Sequence, residues 1–148
     1  MKILINKILK ELEFLPKYDN QISLQGVEGQ TDPFYGTGKL ADCKHKEPEF
    51  IHPLFEELKY TNKVLSDLGM CRSRLMKLEP FHCYSYHRDA SKRMHIPLIT
   101  NERCMFIIED EVHRYPADGN SYIIDTTKMH TAINASYEDR YHIVGCLY

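Results

Sequence analysis

The stretch RMHIPLITNERCMFIIEDEVHRYPADGNSYIIDTTKMHTAINASYEDRYHIVGCL (residues 93–147) decides the fold. It contains short runs of apolar and β-branched residues separated by turn residues, and no run has helical periodicity. Many short strands divided by turns are typical of an antiparallel sandwich or barrel rather than a parallel sheet. Counting one run that precedes this stretch, the predicted strands cover residues 74–78, 94–99, 104–108, 111–115, 121–125, 129–134 and 140–147.

The N-terminal part of the chain has a different pattern. Apolar residues at helical intervals predict a helix over residues 3–14, ended near Pro16. A second stripe predicts a helix over residues 53–68, with Pro53 in its first turn and Gly69 as its cap. The segment between them, 17–50, is predicted to be mostly loop with one short strand at 22–24. Together with the second helix, this loop is a candidate wall or lid for a substrate.

The length of 148 residues suits one domain, and an apolar content of 43% suits a globular chain. We therefore predict a single domain over 1–148, in which 1–70 supports a β core formed by 71–148. The net charge of −2 indicates no nucleic-acid partner, and no apolar run reaches the ~20 residues of a membrane span. Five cysteines without a C-x-x-C pair predict reduced thiols and a cytoplasmic location. These cysteines are Cys43, Cys71, Cys83, Cys104 and Cys146.

Three residues in the β-rich part form a candidate metal site. His87 and Asp89 are two positions apart, so in an extended segment their side chains project to the same side. His130, on a later strand, supplies a second imidazole. Two histidines and one carboxylate on one face of an iron(II) ion leave positions open for a chelating co-substrate and dioxygen.

Arg140 adds a candidate anchor for the co-substrate. It follows His130 by ten residues, an interval that fits a strand, a turn at 134–139 and a returning strand. This reasoning predicts that Arg140 lies on the strand next to that of His130. A guanidinium there can bind a carboxylate through two parallel hydrogen bonds. 2-Oxoglutarate has a 2-oxo acid end that chelates iron and a second carboxylate for such an arginine.

Residues 93–98 place polar and apolar side chains on opposite faces of one strand. Arg93 and His95 share one face, which beside a metal site would line the pocket and bind carboxylates. The alternatives are that Arg93 pairs with a surface acid such as Glu102 and that His95 is a core histidine. Asn134 is interpreted as a brace for the turn before the last strand.

The β-rich part resembles the aspartyl/asparaginyl β-hydroxylase-like branch of the 2-oxoglutarate- and iron(II)-dependent oxygenases. The resemblance covers about half the chain, and the ordered set of motifs is more specific than any one of them. The matching pieces are RLMKLEP (74–80), YSYHRD (84–89), RMHIPL (93–98), DGNSYIIDT (118–126), HTAINAS (130–136) and DRYHIVG (139–145).

The resemblance implies a mainly β protein with N-terminal helices, built on a double-stranded β-helix, or jelly-roll, cupin-like barrel. It implies that His87, Asp89 and His130 bind iron(II) and that Arg140 binds the 5-carboxylate of 2-oxoglutarate. Arg93 and His95 match family positions that line the co-substrate or substrate pocket. Two departures concern the ligands. Membrane-anchored hydroxylases of this branch lack the carboxylate ligand that Asp89 provides here. A family serine that helps to hold the co-substrate falls near Met76.

The expected function is therefore a 2-oxoglutarate- and iron(II)-dependent dioxygenase, a hydroxylase of an unactivated carbon. The expected substrate is a small molecule or a peptide or protein side chain, with dioxygen as the other reactant. Three alternatives stay open. They are a cupin metalloenzyme that does not use 2-oxoglutarate, a non-catalytic jelly roll that binds a ligand, and a structural zinc site. The last is disfavoured because structural zinc sites usually contain cysteine.

Overall fold

The computed structural model describes residues 1–40 and 44–148, so the predicted thiol of Cys43 lies outside the described residues. Strands predominate in these ranges, as the sequence predicts. The helices are α1 (Ile5–Leu12) and α2 (Lys59–Asp67), with one 3₁₀ turn at Glu47–Glu49. The strands are β1 (Gln21–Ser23), β2 (Gln25–Gly26), β3 (His52–Pro53), β4 (Cys71–Leu78), β5 (His82–Cys83), β6 (Arg93–Ile99), β7 (Cys104–Ile108), β8 (Glu111–His113), β9 (Tyr122–Ile124), β10 (His130–Asn134) and β11 (Arg140–Cys146).

Two antiparallel sheets form the frame of the molecule. One has the strand order β1-β4-β11-β6-β9 and the other has the order β5-β10-β7-β8, while β2 and β3 form a separate pair. This cupin-like arrangement of sheets confirms the predicted jelly-roll class. Among the described residues the ladders do not continue from one main sheet to the other, so the predicted barrel is not closed. The edge strands β5, β8 and β9 have only two or three residues each, so the hydrogen-bonded ladders at these sheet edges are short.

The second predicted helix begins later than its apolar stripe suggests. Residues 53–58 are not helical, because Pro53 pairs with Gln25 and the Leu54 amide donates to the Leu24 carbonyl. The helix begins after Leu58, where the Glu11 carboxylate of α1 accepts hydrogen bonds from the Tyr60 and Thr61 amides. A distant carboxylate thus satisfies amides that a local N-cap side chain usually satisfies. At the other end, Gly69 has the positive φ (+65°) expected of a helix cap.

The five-stranded sheet separates a hydrophobic core from a cavity. Alternate residues of β6 (Met94, Ile96 and Leu98) face the helices and pack with Ile8 and Leu65. The intervening side chains point to the opposite face, as expected from the two-residue period of a strand. Neither helix in the described part of the chain has the length and apolar content that a membrane crossing requires.

The chain changes sheets between β10 and β11. His130 lies on β10, which pairs with β5 and β7, whereas Arg140 lies on β11, which pairs with β4 and β6. The prediction that Arg140 lies on the strand next to His130 is therefore wrong, because the turn crosses between sheets instead of forming a hairpin. Asn134 braces this crossing. Its amide donates to the carbonyls of Leu78 and Glu138, as the sequence interpretation expects.

Candidate active site

A cavity of about 880 Å³ lies between the two sheets and brings their polar residues together. Its walls include side chains from β4, β6 and β11 on one side and from β7 and β10 on the other. The N-terminal loop forms part of the wall, as predicted, through residues 38–40 and 45–48. The helix α2 lies against α1 and contributes no lining residue among those described, so its predicted role as a wall is wrong.

Three potential metal ligands converge at this cavity. His87, Asp89 and His130 each offer a ligand atom, and these atoms all lie within 4.8 Å of one another. The two histidines are linked through their backbones, since each amide donates to the carbonyl of the other at 3.0 and 2.9 Å. The Asp89 oxygens lie 3.5 Å from His87 Nε2 and from His130 Nε2. The backbone pairing of His87 with His130 and the nearby Asp89 carboxylate thus bring the three ligands to one point.

The hydrogen bonds of the two imidazoles suit metal binding. His87 Nδ1 lies 2.6 Å from the Ser85 carbonyl, and His130 Nδ1 lies 2.9 Å from the Lys128 carbonyl. A carbonyl can only accept, so each Nδ1 carries a hydrogen, and in the neutral imidazole the lone pair available to a metal is then on Nε2. In metal sites, a backbone carbonyl often accepts a hydrogen bond from the second ring nitrogen of a ligating histidine and so fixes the orientation of the ring. The residues therefore fit a divalent metal that accepts two imidazoles and one carboxylate.

The backbone of Asp89 is fixed by the turn that follows β9. Its amide donates to the Thr126 carbonyl at 2.8 Å, and the Thr126 hydroxyl donates to the Ser91 carbonyl at 2.9 Å. The carboxylate is also 3.6 Å from Nε of Arg93. These contacts hold the carboxylate beside the histidines, an arrangement that leaves one side of the three-ligand set facing the cavity.

Arg140 lies in the same cavity and has no acidic partner within the described ranges. Its side chain is 2% exposed, its guanidinium lies 5.6 Å from the ring centroid of Phe106, and Nε has no hydrogen-bond partner there. Burial lowers the pKa of this guanidinium, although arginine stays charged at neutral pH. A buried cation without an acid is costly unless a ligand supplies the charge. Arg140 is thus suited to bind an anion in the cavity.

His95 also lines the cavity and pairs with a second buried histidine. Its Nδ1 lies 3.1 Å from Nδ1 of His142, so one ring donates and the other accepts. Burial, and then the nearby charges of Arg140 and Arg74, hold the pKa of His95 well below its usual value. His95 is therefore neutral, and it serves both as a cavity residue and as a hydrogen-bonded core histidine.

Arg93 lines the cavity, and its charge is shared between two carboxylates. Its Nη2 lies 3.1 Å from Glu47, and its Nε lies 3.6 Å from Asp89. The alternative partner suggested by the sequence, Glu102, is wrong, because the acid that meets Arg93 comes from the N-terminal loop. No local pattern connects residues 47 and 93, so only the tertiary structure reveals this pair.

Glu47 joins the N-terminal loop to the five-stranded sheet at one end of the cavity. Its carboxylate accepts hydrogen bonds from Arg72 (2.7 Å), the Cys146 thiol (2.9 Å) and the Tyr148 hydroxyl (2.6 Å). Burial opposes ionisation of Glu47. The hydrogen bonds from Cys146, Tyr148 and Arg72, with the charge of Arg93, outweigh burial and lower its pKa to about 2. This cluster links the loop to the sheet through hydrogen bonds and two ion pairs.

We expect Glu47→Gln to lower the free energy of unfolding by about 2 kcal/mol at pH 7, because two buried arginines lose their shared charge partner. Glu47 has a lower pKa in the folded state than its ordinary value of 4.5. Its contribution is therefore full above pH 4.5 and is lost as the pH falls toward 2. Urea unfolding of both proteins between pH 7 and pH 3 measures this. A difference that does not shrink with acidification would contradict the ionic role of Glu47.

Arg74 also lines the cavity, although no sequence motif predicts a role for it. It lies on β4, opposite Val144 of β11, and its side chain is buried. Burial is the main reason why the pKa of Arg74 is lowered to about 10, which still leaves it charged at neutral pH. The sequence contains one indication of this position. Arg72, Arg74 and Met76 are two residues apart, so their side chains lie on one face of a strand. Nothing in that alternation alone separates a cavity face from a surface.

The sequence of the chain matches a known family over most of its length. The sequence profile described as "Aspartyl/Asparaginyl beta-hydroxylase" matches residues 8–146. The chain belongs to this family. The match covers the triad, Arg140 and the N-terminal segment that supplies Glu47. Within the matched range, His87, Asp89 and His130 form a cluster that could hold a metal ion. The sequence of this chain matches no curated protein.

Among solved structures, the chain is similar in fold to AviO1 and, over about half of its length, to cupin proteins with lower TM-scores. AviO1 from Streptomyces viridochromogenes Tue57 is 18% identical, with a TM-score of 0.50 over 95% of this chain and 81% of that chain. A cupin domain from Bordetella pertussis Tohama I is 15% identical, with a TM-score of 0.45 over 52% and 81%. A Cupin 2 conserved barrel domain protein from Salinispora arenicola CNS-205 is 12% identical, with a TM-score of 0.41 over 49% of this chain and 58% of that chain. The chain thus spans less than two thirds of that last protein.

Proposed function

We propose that the protein is a 2-oxoglutarate- and iron(II)-dependent dioxygenase that hydroxylates an unactivated carbon of an amino acid or of a peptide or protein side chain. One observation supports this proposal above the others. A two-histidine, one-carboxylate cluster and a buried arginine without a described acidic partner line the same cavity. A metal site alone fits many cupins, whereas the added cation fits a co-substrate with a second carboxylate.

In this proposal each residue has a separate task. His87, Asp89 and His130 would hold iron(II), and Arg140 would bind the far carboxylate of 2-oxoglutarate. The bound metal and co-substrate would supply dioxygen activation, in which 2-oxoglutarate becomes succinate and carbon dioxide and one oxygen atom enters a C–H bond of the substrate. The protein positions the reactants and excludes side reactions.

The cavity walls support the proposed orientation of the co-substrate. Phe106 covers one side of the Arg140 guanidinium, and burial keeps water from competing for its donors. His95 and His142 are held neutral nearby, so they add no charge that would compete for the carboxylate. Arg140 is therefore the buried charge in this part of the cavity that a carboxylate can neutralise.

The test is an anaerobic titration of the iron(II)-loaded protein with 2-oxoglutarate, followed by visible absorbance. Chelation of iron(II) by a 2-oxo acid gives a weak charge-transfer band, so we expect this band to saturate with 2-oxoglutarate. Succinate, which lacks the 2-oxo group, is the matched control and should give none. Stoichiometric iron binding without a band would favour a cupin metalloenzyme that does not use 2-oxoglutarate. Absence of iron binding would leave a non-catalytic jelly roll as the better account.

A further inference from the structure

Two buried histidines on neighbouring strands share one hydrogen bond. His95 lies on β6 and His142 lies on β11, and their Nδ1 atoms are 3.1 Å apart. His95 lines the cavity, whereas His142 is 2% exposed and is absent from the described lining residues. One ring donates through its Nδ1–H, and the other accepts through a lone pair. The direction of this bond decides whether His95 Nε2 presents the cavity with an N–H donor or with a lone pair.

Both rings are neutral at physiological pH, so each ring has a single N–H. Burial, and then the charge of Arg140, hold the pKa of His142 well below its usual value. Burial and nearby cations, Arg140 and Arg74 foremost, lower the pKa of His95 in the same way. In a neutral imidazole, a hydrogen on one nitrogen leaves a lone pair on the other. The tautomer of one ring therefore fixes the tautomer of its partner.

The Nε2 atom of His142 decides between the two arrangements. It is buried and has no hydrogen-bond partner among the described residues. The His142 ring is stacked with Phe106 at a centroid distance of 6.1 Å, and its strand neighbours are Met76 and Pro97. None of these side chains is a strong acceptor. A hydrogen on this Nε2 would be a buried donor without an acceptor, a group that folded proteins rarely contain.

A buried cation favours the same arrangement. Arg140 is two residues before His142 on β11, so both side chains lie on one face of the strand. Among the charged groups, Arg140 has the largest effect on the pKa of His142. A cation attracts a lone pair and repels the positive end of an N–H bond. His142 Nε2 thus keeps the lone pair, and His142 Nδ1 carries the hydrogen.

We propose that His142 is a positioning residue that keeps the hydrogen of His95 on Nε2, so that His95 donates a hydrogen bond to an anion in the cavity. In this arrangement His142 Nδ1–H donates to His95 Nδ1. The His95 ring meets Phe106 edge-on at a centroid distance of 5.1 Å, and the Arg140 guanidinium lies 5.6 Å from the centre of the same phenyl ring. We therefore assign to His95 Nε2 the carboxylate that Arg140 binds.

The identity of this anion, the 5-carboxylate of 2-oxoglutarate, rests on the proposed function, whereas the tautomers do not. A neutral donor adds a hydrogen bond to the carboxylate without adding a buried charge. The arginines that surround His95 also line the cavity, where a bound anion offsets their charge. His142 acts on the ligand only through His95, because it is not a described lining residue.

The first test measures the tautomers directly in the full-length protein. Long-range proton–nitrogen NMR distinguishes a ring nitrogen that carries a hydrogen from one that has a lone pair. The protein is loaded with zinc(II), which is diamagnetic, and is also measured free of metal. We expect the hydrogen of His95 on Nε2 and that of His142 on Nδ1, with the signals assigned from His95→Gln and His142→Asn. The reversed pair of tautomers in the wild type would overturn the proposal.

Two substitutions show whether His142 causes the tautomer of His95. His142→Leu removes the donor to His95 Nδ1, and the hydrogen bond at one ring nitrogen sets which nitrogen carries the hydrogen. The nitrogen signals of His95 should then become an average of both tautomers. His142→Asn supplies an amide donor at this position and should restore the single tautomer. A single unchanged tautomer of His95 in His142→Leu would show that other contacts fix it.

The second test measures 2-oxoglutarate affinity by the anaerobic charge-transfer titration. His142→Leu should weaken it by about threefold to tenfold, the effect of one neutral hydrogen bond, and should leave iron(II) affinity unchanged. His142→Asn should bind 2-oxoglutarate as the wild type does. In His95→Gln, whose amide donates without help from residue 142, adding His142→Leu should have no further effect.

The outcomes separate the positioning role from damage to the fold and from the proposed function. An equal loss of affinity from His142→Leu in the wild type and in His95→Gln would show a structural role and overturn the proposal. Unchanged affinity in His142→Leu would overturn the assignment of the anion to His95. If 2-oxoglutarate gives no band, the proposed function fails, and the NMR spectrum of the wild type still decides the tautomers.

Discussion

His87→Ala is expected to weaken iron(II) binding by more than about 100-fold. The substitution removes one of three donors, and even partners outside the ligand set contribute 10- to 100-fold to the affinity of typical metal sites. Because the His87 side chain is 39% exposed, its loss leaves a small cavity at most, and the fold should persist. Anaerobic competition against a coloured chelator measures the affinity, and circular dichroism checks the fold.

The matched control for this substitution is His82→Ala. His82 is also exposed, and its Nδ1 contacts the carbonyl two residues earlier, as His87 Nδ1 does. It differs in having no place in the three-ligand cluster. We expect the affinity of His82→Ala for iron(II) to equal that of the wild type. Equal affinity in His87→Ala as well would rule out the triad as the metal site.

Arg140→Met is expected to weaken 2-oxoglutarate binding by roughly 100-fold without changing iron(II) affinity. Hydrogen bonds to charged groups contribute about 1.5–3 kcal/mol each, and 1.4 kcal/mol corresponds to a factor of ten. Methionine keeps much of the apolar bulk beside Phe106 and removes the charge. The anaerobic charge-transfer titration measures the effect directly.

Two further variants sharpen this experiment. Arg140→Lys keeps the charge and loses the planar pair of donors, so its affinity should fall between those of Arg140→Met and the wild type. Arg103→Met removes an exposed arginine that does not line the cavity and should have no effect. If Arg140→Met binds 2-oxoglutarate as the wild type does, the anchor is elsewhere in the cavity. If Arg140→Met loses iron(II) binding together with 2-oxoglutarate binding, the substitution has damaged the whole site.

The strands were largely predictable because their residues form short, clearly bounded apolar runs. The runs at 94–99 and 104–108 correspond closely to β6 and β7. The strand β5, of two residues, was not predicted, because a run that short carries no periodic signal. The start of α2 was placed too early, because the stripe from Leu54 to Leu68 ignores the competing pairing of β2 with β3.

The candidate ligands were predictable because residue type and spacing carry chemical information. The pair of His87 and Asp89 at an interval of two, followed by a histidine and an arginine in matching motifs, pointed to one metal and one anion. The sequence did not show how the chain runs from His130 to Arg140. The strands of His130 and Arg140 lie in different sheets, and they face one cavity because the turn after Asn134 crosses between the sheets.

The sequence by itself therefore determined the fold class, the family and the three residues that converge as a candidate metal site, since these depend on local patterns and on ordered motifs. Only the tertiary structure decided which arginines have acidic partners. Glu47 comes from a loop with no regular pattern, yet it meets Arg72 and Arg93 and leaves Arg74 and Arg140 without a described acid. The physical reason is that charge compensation depends on distances of a few ångströms across the folded chain. Those distances follow from sheet packing and not from separation in sequence.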